Sequence, residues 1–317
     1  MPLRLILVLA VVVLAIAAIG TWYLTQRGAP SKEEVQQAYA TPAPPPGDAL
    51  RVFHLGHSLV GRDMPAMLAQ LAGADHRYES QLGWGTSLKE HWEPDEPIKG
   101  FDEENAHPRF RAAHEAVSSG DYDAVILTEM VEIRDAIKYH DSARYFPRWA
   151  QAVRDGNPDT RVFLYESWHN LEAPEGWLNR LDTDLGQYWK DKILLRDLGK
   201  NAPDRPAYLI PAGQVMAALV RTVEAKGGVG NMTSREDLFR RMEDGSLDNI
   251  HVNDLGAYLV ALTHYAVLYQ KSPVGLPHDL TRADGTPADA PTADLARLMQ
   301  ETVWQVVQQL PETGVPQ

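Results

Sequence analysis

The strongest fold signal in the sequence is the stretch Val52-Phe-His-Leu-Gly-His-Ser58-Leu-Val-Gly61, in which an apolar run passes into a turn of small residues. A short apolar run that ends at glycine is typical of a buried strand. The turn presents a serine directly after that strand, and helical spacing of apolar residues begins at Met64. The stretch therefore predicts a strand, a tight turn and a helix.

Working outward from this stretch, short apolar runs alternate with longer helical ones. The predicted strands are Leu50–Leu55, Tyr78–Leu82, Ala124–Leu127, Val162–Tyr165 and Ala207–Ile210. The predicted helices are Met64–Ala74, Phe110–Ser118, Tyr145–Asp155, Leu185–Leu198, Val215–Ala225 and a closing amphipathic helix, Ala293–Leu310. Strands that alternate with helices predict a parallel sheet covered on both faces. Ligands bind such sheets beyond the carboxyl ends of the strands.

A second segment, Asp248-Asn-Ile-His251, supplies the groups that a serine nucleophile needs. A serine hydroxyl is a weak nucleophile, so it requires a neutral imidazole to accept its proton. We assign that role to His251. The imidazole in turn needs an acceptor for its other nitrogen, which Asp248 supplies. We place both residues in a loop held by a helix that begins near Asn253.

These motifs resemble the SGNH, or GDSL-type, esterases and lipases over roughly residues 50–271. The resemblance rests on Gly56-His57-Ser58-Leu59, on a glycine after the second strand, and on Asp248-x-x-His251 followed by Asn253-Asp-Leu-Gly256-Ala-Tyr258-Leu-Val-Ala261. It implies a three-layer α/β/α sandwich with a five-stranded parallel sheet, the flavodoxin-like SGNH hydrolase fold. It also implies catalytic roles for Ser58, His251 and Asp248, and no cofactor. His57 stands where the family has aspartate or asparagine.

The resemblance also implies an oxyanion hole formed by the backbone amides of Ser58 and of Gly83 or Gly85. For these two glycines, ordinary turn chemistry is the alternative. The family usually adds an asparagine after the third strand, but here that strand ends in Thr128-Glu129, similar to a bacterial branch that has Gln-Glu there. A glutamate donates to an oxyanion only when protonated, so Asn170 is a candidate substitute donor.

Three residues that follow the third and fourth strands are predicted to bind substrate: Glu129, Trp168 and Asn170. Two of them have a simpler alternative. Glu129 fits equally well as a solvated acid or as the salt-bridge partner of Arg134, and Trp168 as a core side chain.

We predict no metal site, because the histidines and carboxylates near the two motifs show no His-Glu-x-x-His or comparable spacing. The chain has no cysteine, which excludes disulfides, thiolate metal sites and a cysteine nucleophile. A net charge of -13, with 43 acidic and 30 basic residues, argues against nucleic-acid binding.

The N-terminus carries an unbroken apolar run, Leu5–Leu24, long enough to span a bilayer of roughly 30 Å. We predict an anchor over residues 1–27, a Pro-rich linker over 28–48 and the folded domain over 49–317. The alternative is a signal peptide cleaved near Ala15-Ile-Ala17. A bacterial inner-membrane anchor with a periplasmic domain is expected, or a secreted protein if the segment is cleaved.

The resemblance implies a serine esterase that removes a short acyl group, such as acetyl, from an extracytoplasmic carbohydrate or small ester. Three alternatives remain open at this stage. They are an O-acyltransferase that uses the same triad on a cell-envelope glycan, a catalytically silent binding protein with the same fold, and a lipase. The sequence identifies no protein partner.

Overall fold

The computed structural model describes residues 29–200 and 205–317. Its main sheet has five parallel strands in the order β2-β1-β3-β4-β5. The strands are β1 (Arg51–His57), β2 (Arg77–Gly83), β3 (Ala124–Thr128), β4 (Arg161–Glu166) and β5 (Tyr208–Pro211). The predicted five-stranded parallel sheet in a three-layer α/β fold is confirmed.

Helices cover the sheet on both faces. In chain order they are α1 (Lys32–Ala38), α2 (Asp63–Ala72), α3 (Leu88–Trp92), α4 (Phe101–Asn105), α5 (Ala113–Ser119), α6 (Ile133–Tyr139), α7 (Ser142–Gly156), α8 (Trp177–Asp184), α9 (Leu195–Lys200), α10 (Ala212–Ala225), α11 (Asp254–Tyr269) and α12 (Ala293–Gln309). Helices α2, α10, α11 and α12 pack together in one layer, and α3, α5 and α9 pack on α7 in the other. Short 3₁₀ turns span Arg235–Leu238 and Pro311–Thr313.

The central strands are apolar because both of their faces are covered. Every residue of β3 is buried, and Leu55 of β1 lies opposite Leu127. Near the end of β1 the packing tolerates no side chain, since a Cβ atom at Gly56 would fall 2.6 Å from Cβ of Thr128. The strand order reverses between β1 and β3, and this is where ligands bind in open α/β sheets. Ser58 therefore follows β1 at the topological switch point.

Two predicted elements differ from the structure. The predicted helix Leu185–Leu198 begins as a π-helix, Leu185–Leu194, and becomes α-helical only at α9. The loop predicted around Asp248 and His251 is instead a strand, β7 (Leu247–Val252), which pairs antiparallel with β6 (Phe239–Arg241). Their connection contains Asp244-Gly245, a common hairpin turn signal. The loop prediction was wrong because these strands are short and lack an apolar alternation.

The residues that we expected to form a spacer contact the folded domain. Helix α1 begins at a Ser31 capping box, and after it the Tyr39 hydroxyl donates to the Ala207 carbonyl at 2.8 Å. The amide of Ala43 donates to the Gly314 carbonyl at 2.8 Å. The predicted anchor Leu5–Leu24 lies outside the described residues. Within 29–200 and 205–317, no helix has the length and apolarity needed to cross a bilayer.

Candidate active site

The structure brings together the three residues assigned to the predicted triad. Ser58 follows β1, and Asp248 and His251 both lie in β7. His251 Nε2 is 2.9 Å from Ser58 Oγ, and His251 Nδ1 is 2.9 Å from Asp248 Oδ2. Residues 193 positions apart in the chain therefore form one hydrogen-bonded line. This arrangement can move a proton from the serine hydroxyl to the imidazole while the carboxylate fixes the ring.

The carboxylate of Asp248 receives donors on both oxygens. Oδ1 accepts the backbone amides of Ile250 at 3.1 Å and His251 at 3.0 Å, and Oδ2 accepts the Arg240 guanidinium at 2.8 Å. Partial burial favours the neutral acid, but these donors together hold the pKa of Asp248 well below its ordinary value. The group is thus a carboxylate. Sequence reasoning missed Arg240, which is adjacent to Asp248 only across the hairpin.

A neutral histidine holds the turn that presents Ser58. The Nε2–H of His57 donates to the Glu129 carbonyl at 2.8 Å, and the Leu59 amide donates to His57 Nδ1 at 3.3 Å. Complete burial lowers the pKa of His57 to about 4, so the ring is uncharged. The Nε2–H of His91 likewise donates to the Gly56 carbonyl at 2.8 Å. The His57 bond joins the ends of β1 and β3, and the His91 bond joins α3 to β1, so both hold the path of the turn.

Glu129 lies behind this turn and does not line the cleft that contains Ser58. Its side chain is fully buried, and Oε1 accepts the amides of Met130 at 2.9 Å and Leu88 at 3.2 Å. Among the described residues, Oε2 has no hydrogen-bond partner. Burial raises the pKa of Glu129 to about 7. The carboxyl group therefore links the end of β3 to the start of α3.

Glu129→Gln should remove a pH dependence of stability. The pKa of Glu129 rises from 4.5 in the unfolded chain to about 7 in the folded protein. Between these two values the unfolded chain ionises first, so folding stability falls by about 3 kcal/mol as the pH rises. Urea unfolding at pH 5 and pH 8 should show that fall in the wild type and a smaller one in Glu129→Gln. An equal fall in stability between pH 5 and pH 8 in the wild type and in Glu129→Gln would contradict this account. So would a control variant, Glu243→Gln at an exposed position, that reduces the fall as much as Glu129→Gln does.

The backbone donors predicted for the oxyanion hole lie in different environments. Gly85 lines the cleft with Ser58, and its φ of +60° is readily adopted only by glycine. The amides of Ser58 and Gly85 donate to no backbone or side-chain acceptor in the described part of the chain. Gly83 instead ends β2, where a Cβ atom would fall 2.2 Å from Thr86 Oγ1. Of the three predicted donors, Ser58 and Gly85 line the cleft and Gly83 does not.

Of the two remaining predicted site residues, Asn170 lies in the cleft and Trp168 packs behind it. Asn170 is exposed in the cleft, and its Oδ1 accepts the Glu172 amide at 2.9 Å, which leaves its NH₂ group to donate. Trp168 is fully buried, and its indole N–H donates to the Ile250 carbonyl at 2.7 Å. Trp168 therefore braces β7 beside His251.

The Ser58 and His251 side chains open on a cleft of about 1830 Å³. Its walls come from the turn after β1, the Trp84-Gly85 loop, the β6–β7 hairpin and the chain that precedes α12. Its lining includes basic, acidic and neutral polar side chains, among them Arg109, Asp289 and Asn231. The cleft is large enough for a polar substrate well beyond a simple ester.

Comparisons with known proteins find similarity only to solved structures, and at low sequence identity. No family model and no curated protein matches the chain. A DUF4886 family protein from Bacteroides uniformis is similar at a TM-score of 0.50 and 14% identity, covering 83% of this chain and 96% of that one. A protein from Parabacteroides merdae described as a GDSL-like lipase has a TM-score of 0.42 and 13% identity, over 71% and 97% of the two chains. A carbohydrate esterase family 2 enzyme from Corynascus thermopiles has a TM-score of 0.33 and 15% identity, over 53% and 57%.

Proposed function

We propose that the protein is a serine ester hydrolase with Ser58 as nucleophile, His251 as general base and acid, and Asp248 as the residue that orients His251. The observation that carries the proposal is the hydrogen-bonded line from Ser58 Oγ through His251 to Asp248 at the edge of a large cleft. Such a line activates a hydroxyl that is otherwise a poor nucleophile.

In the proposed reaction, Ser58 Oγ attacks the ester carbonyl carbon as His251 Nε2 takes the hydroxyl proton. The carbonyl oxygen becomes an oxyanion, which the amides of Ser58 and Gly85 stabilise. The bond to the alcohol breaks, and His251 returns the proton to the departing alkoxide. A water molecule then gives its proton to His251 and attacks the acyl-enzyme, which releases the carboxylic acid and the free serine.

We take the substrate to be a short acyl ester, such as an acetyl ester, of an extracytoplasmic carbohydrate or of a small molecule. The apolar run Leu5–Leu24 supports an extracytoplasmic domain on a membrane anchor. Protease added to spheroplasts of the expressing bacterium should digest the domain. Protection that persists until the cells are lysed would place the domain inside.

The hydrolase is tested with the purified full-length chain. It should release p-nitrophenol from p-nitrophenyl acetate with repeated turnover, and a fluorophosphonate should stop turnover and add its mass to the peptide that contains Ser58. A label on another residue, or no turnover and no label in a folded protein, would reject the proposal.

An O-acyltransferase is the second candidate, favoured by a cleft large enough to hold an acyl donor and an acceptor. The two functions differ in what resolves the acyl-enzyme, which is water in one case and a sugar hydroxyl in the other. Product analysis with and without an added glycan decides between them. Acyl release that requires the glycan, and ends on it, identifies the transferase.

Arg240→Met should lower kcat/KM for p-nitrophenyl acetate by about two- to fivefold. The guanidinium donates to Oδ2 of Asp248, the oxygen that also lies 2.9 Å from His251 Nδ1, and so helps to hold the carboxylate that orients the ring. The Arg240 side chain is 54% exposed, so solvent weakens the effect and added salt should reduce it. Arg240→Lys should keep most of the wild-type rate. An unchanged rate in Arg240→Met, or an equal loss in the neighbouring Arg241→Met, would contradict this role.

A further inference from the structure

Trp84 is an exposed aromatic residue in the cleft. It lies between Gly83 and Gly85, on the loop that supplies one of the amides proposed to bind the oxyanion. Its side chain is 51% exposed. The other largely exposed apolar side chains in the described ranges, Tyr139, Met242 and Val274, do not line the cleft that contains Ser58.

The indole ring is held in place from two directions. Gly100, with a φ of +64°, lies directly beneath it, because a Cβ atom at that position would fall 2.2 Å from Trp84 Cδ2 and 2.3 Å from Cε2. The ring N–H donates to Glu104 Oε1 at 2.9 Å, and the backbone amide donates to the Lys99 carbonyl at 2.8 Å. One face of the ring is therefore packed against Gly100, and Trp84 is among the residues that line the cleft.

Such an arrangement is unfavourable without a ligand. An uncovered aromatic face forgoes roughly 25 cal/mol of hydrophobic free energy for each Å² left in water. The position under the ring, Gly100, also has a left-handed backbone conformation, which glycine adopts readily because it has no side chain. Exposed and preorganised aromatic side chains are typical of binding surfaces, where they supply contact area at a low entropic cost.

The surroundings of Trp84 identify the kind of ligand. The nearby lining residues Glu104, His107 and Arg109 carry a carboxylate, an imidazole and a guanidinium. A fatty acyl chain would place apolar groups against these charged and polar side chains and displace the water around them, which is costly. A pyranose ring has an apolar C–H face that can stack on the indole and a rim of hydroxyl groups that can bond to those side chains.

We infer that Trp84 is the stacking platform of a sugar subsite, so that the alcohol part of the substrate is a pyranose ring and its ester is directed toward Ser58. This inference rests on the proposed esterase function for its kinetic consequence, but the binding step does not depend on catalysis. Trp84 is accordingly a specificity-determining residue that acts on the alcohol side of the ester.

The kinetic test compares Trp84→Ala and Trp84→Phe with the wild type on three probes: p-nitrophenyl acetate, p-nitrophenyl octanoate and mono-O-acetylated methyl glucopyranosides. Trp84→Ala should lower the ratio of kcat/KM for the acetylated glucosides to kcat/KM for p-nitrophenyl acetate by roughly 10- to 100-fold, mainly through KM for the glucosides. Trp84→Phe, which keeps an aromatic ring, should lose less of the kcat/KM for the acetylated glucosides than Trp84→Ala does. Tyr139→Ala removes an equally exposed aromatic outside the cleft and should change none of the three rates. An equal loss on all probes, a loss confined to the octanoate, or no loss would overturn the inference.

A binding test separates this inference from the proposed function. Saturation-transfer NMR of the Ser58→Ala protein with the acetylated glucosides should show transfer to the ring C–H protons, which disappears when Trp84→Ala is added. If the wild type shows no esterase activity, transfer that requires Trp84 would keep the subsite and reject the hydrolase. No transfer, or transfer unchanged by Trp84→Ala, would reject the subsite.

Discussion

Ser58→Ala should lower kcat/KM for p-nitrophenyl acetate by roughly 10⁴- to 10⁶-fold. The hydroxyl is the only protein group in the proposed mechanism that forms a bond to the acyl carbon, so no neighbouring side chain replaces it. Folding should be unaffected, because among the described residues the Ser58 side chain hydrogen-bonds only to His251 Nε2. Burst and steady-state kinetics on the purified protein measure the loss.

Ser118→Ala is the matched control for this change. The Ser118 hydroxyl is exposed on α5 and bonds only to the backbone carbonyls of His114 and Glu115. Its removal should leave both turnover and the thermal midpoint as in the wild type. Turnover that survives in a folded Ser58→Ala protein would mean that another group is the nucleophile, and the proposed mechanism would fail.

Asp248→Asn should cost roughly 10³- to 10⁴-fold in kcat. Oδ1 of Asp248 accepts two backbone amides, so the oxygen of an asparagine side chain would take that position. The asparagine NH₂ group would then point at His251 Nδ1 and at Arg240, where Oδ2 now accepts from both. His251 Nδ1 would have to accept that donor, which places the ring proton on Nε2. The imidazole could then no longer take the proton of Ser58.

Two measurements test this explanation: the pH dependence of the loss in Asp248→Asn, and the same substitution at a second carboxylate. The loss in Asp248→Asn should be smallest at high pH, where hydroxide can replace the missing general base. Asp289→Asn makes the same chemical change at the rim of the cleft, on a side chain that is 93% exposed, and should alter kcat by less than about twofold. Comparable losses in both variants would show that cleft charge, and not the tautomer of His251, controls the rate.

Much of the fold follows from local sequence patterns. Buried parallel strands need near-continuous apolar runs, and amphipathic helices need apolar residues at helical spacing, so β1 to β5 and helices α2, α5 and α7 could be predicted within a few residues. The short helices α3, α4, α6 and α8 were not predicted. The candidate nucleophile, base and acid were found because few residue types perform that chemistry and because Ser58, Asp248 and His251 stand beside turns and strand ends.

Other features depend on contacts between distant parts of the chain. The β6–β7 hairpin was missed because its short polar strands are stabilised by pairing and by Trp168 behind β7. Arg240 lies beside Asp248 only once that hairpin forms. The elevated pKa of Glu129 comes from burial, which no local pattern around Thr128-Glu129 reveals.

By itself the sequence determined the five strands of the main sheet, several of the helices and the residue types available for catalysis, because backbone propensity and side-chain chemistry are local properties. Only the tertiary structure decided the strand order, the 2.9 Å contact between Ser58 and His251, and the packing of Trp84 on Gly100. Those features depend on which surfaces meet when the chain buries its apolar residues. That is a property of the whole molecule, since it arises from long-range packing rather than from neighbours in sequence.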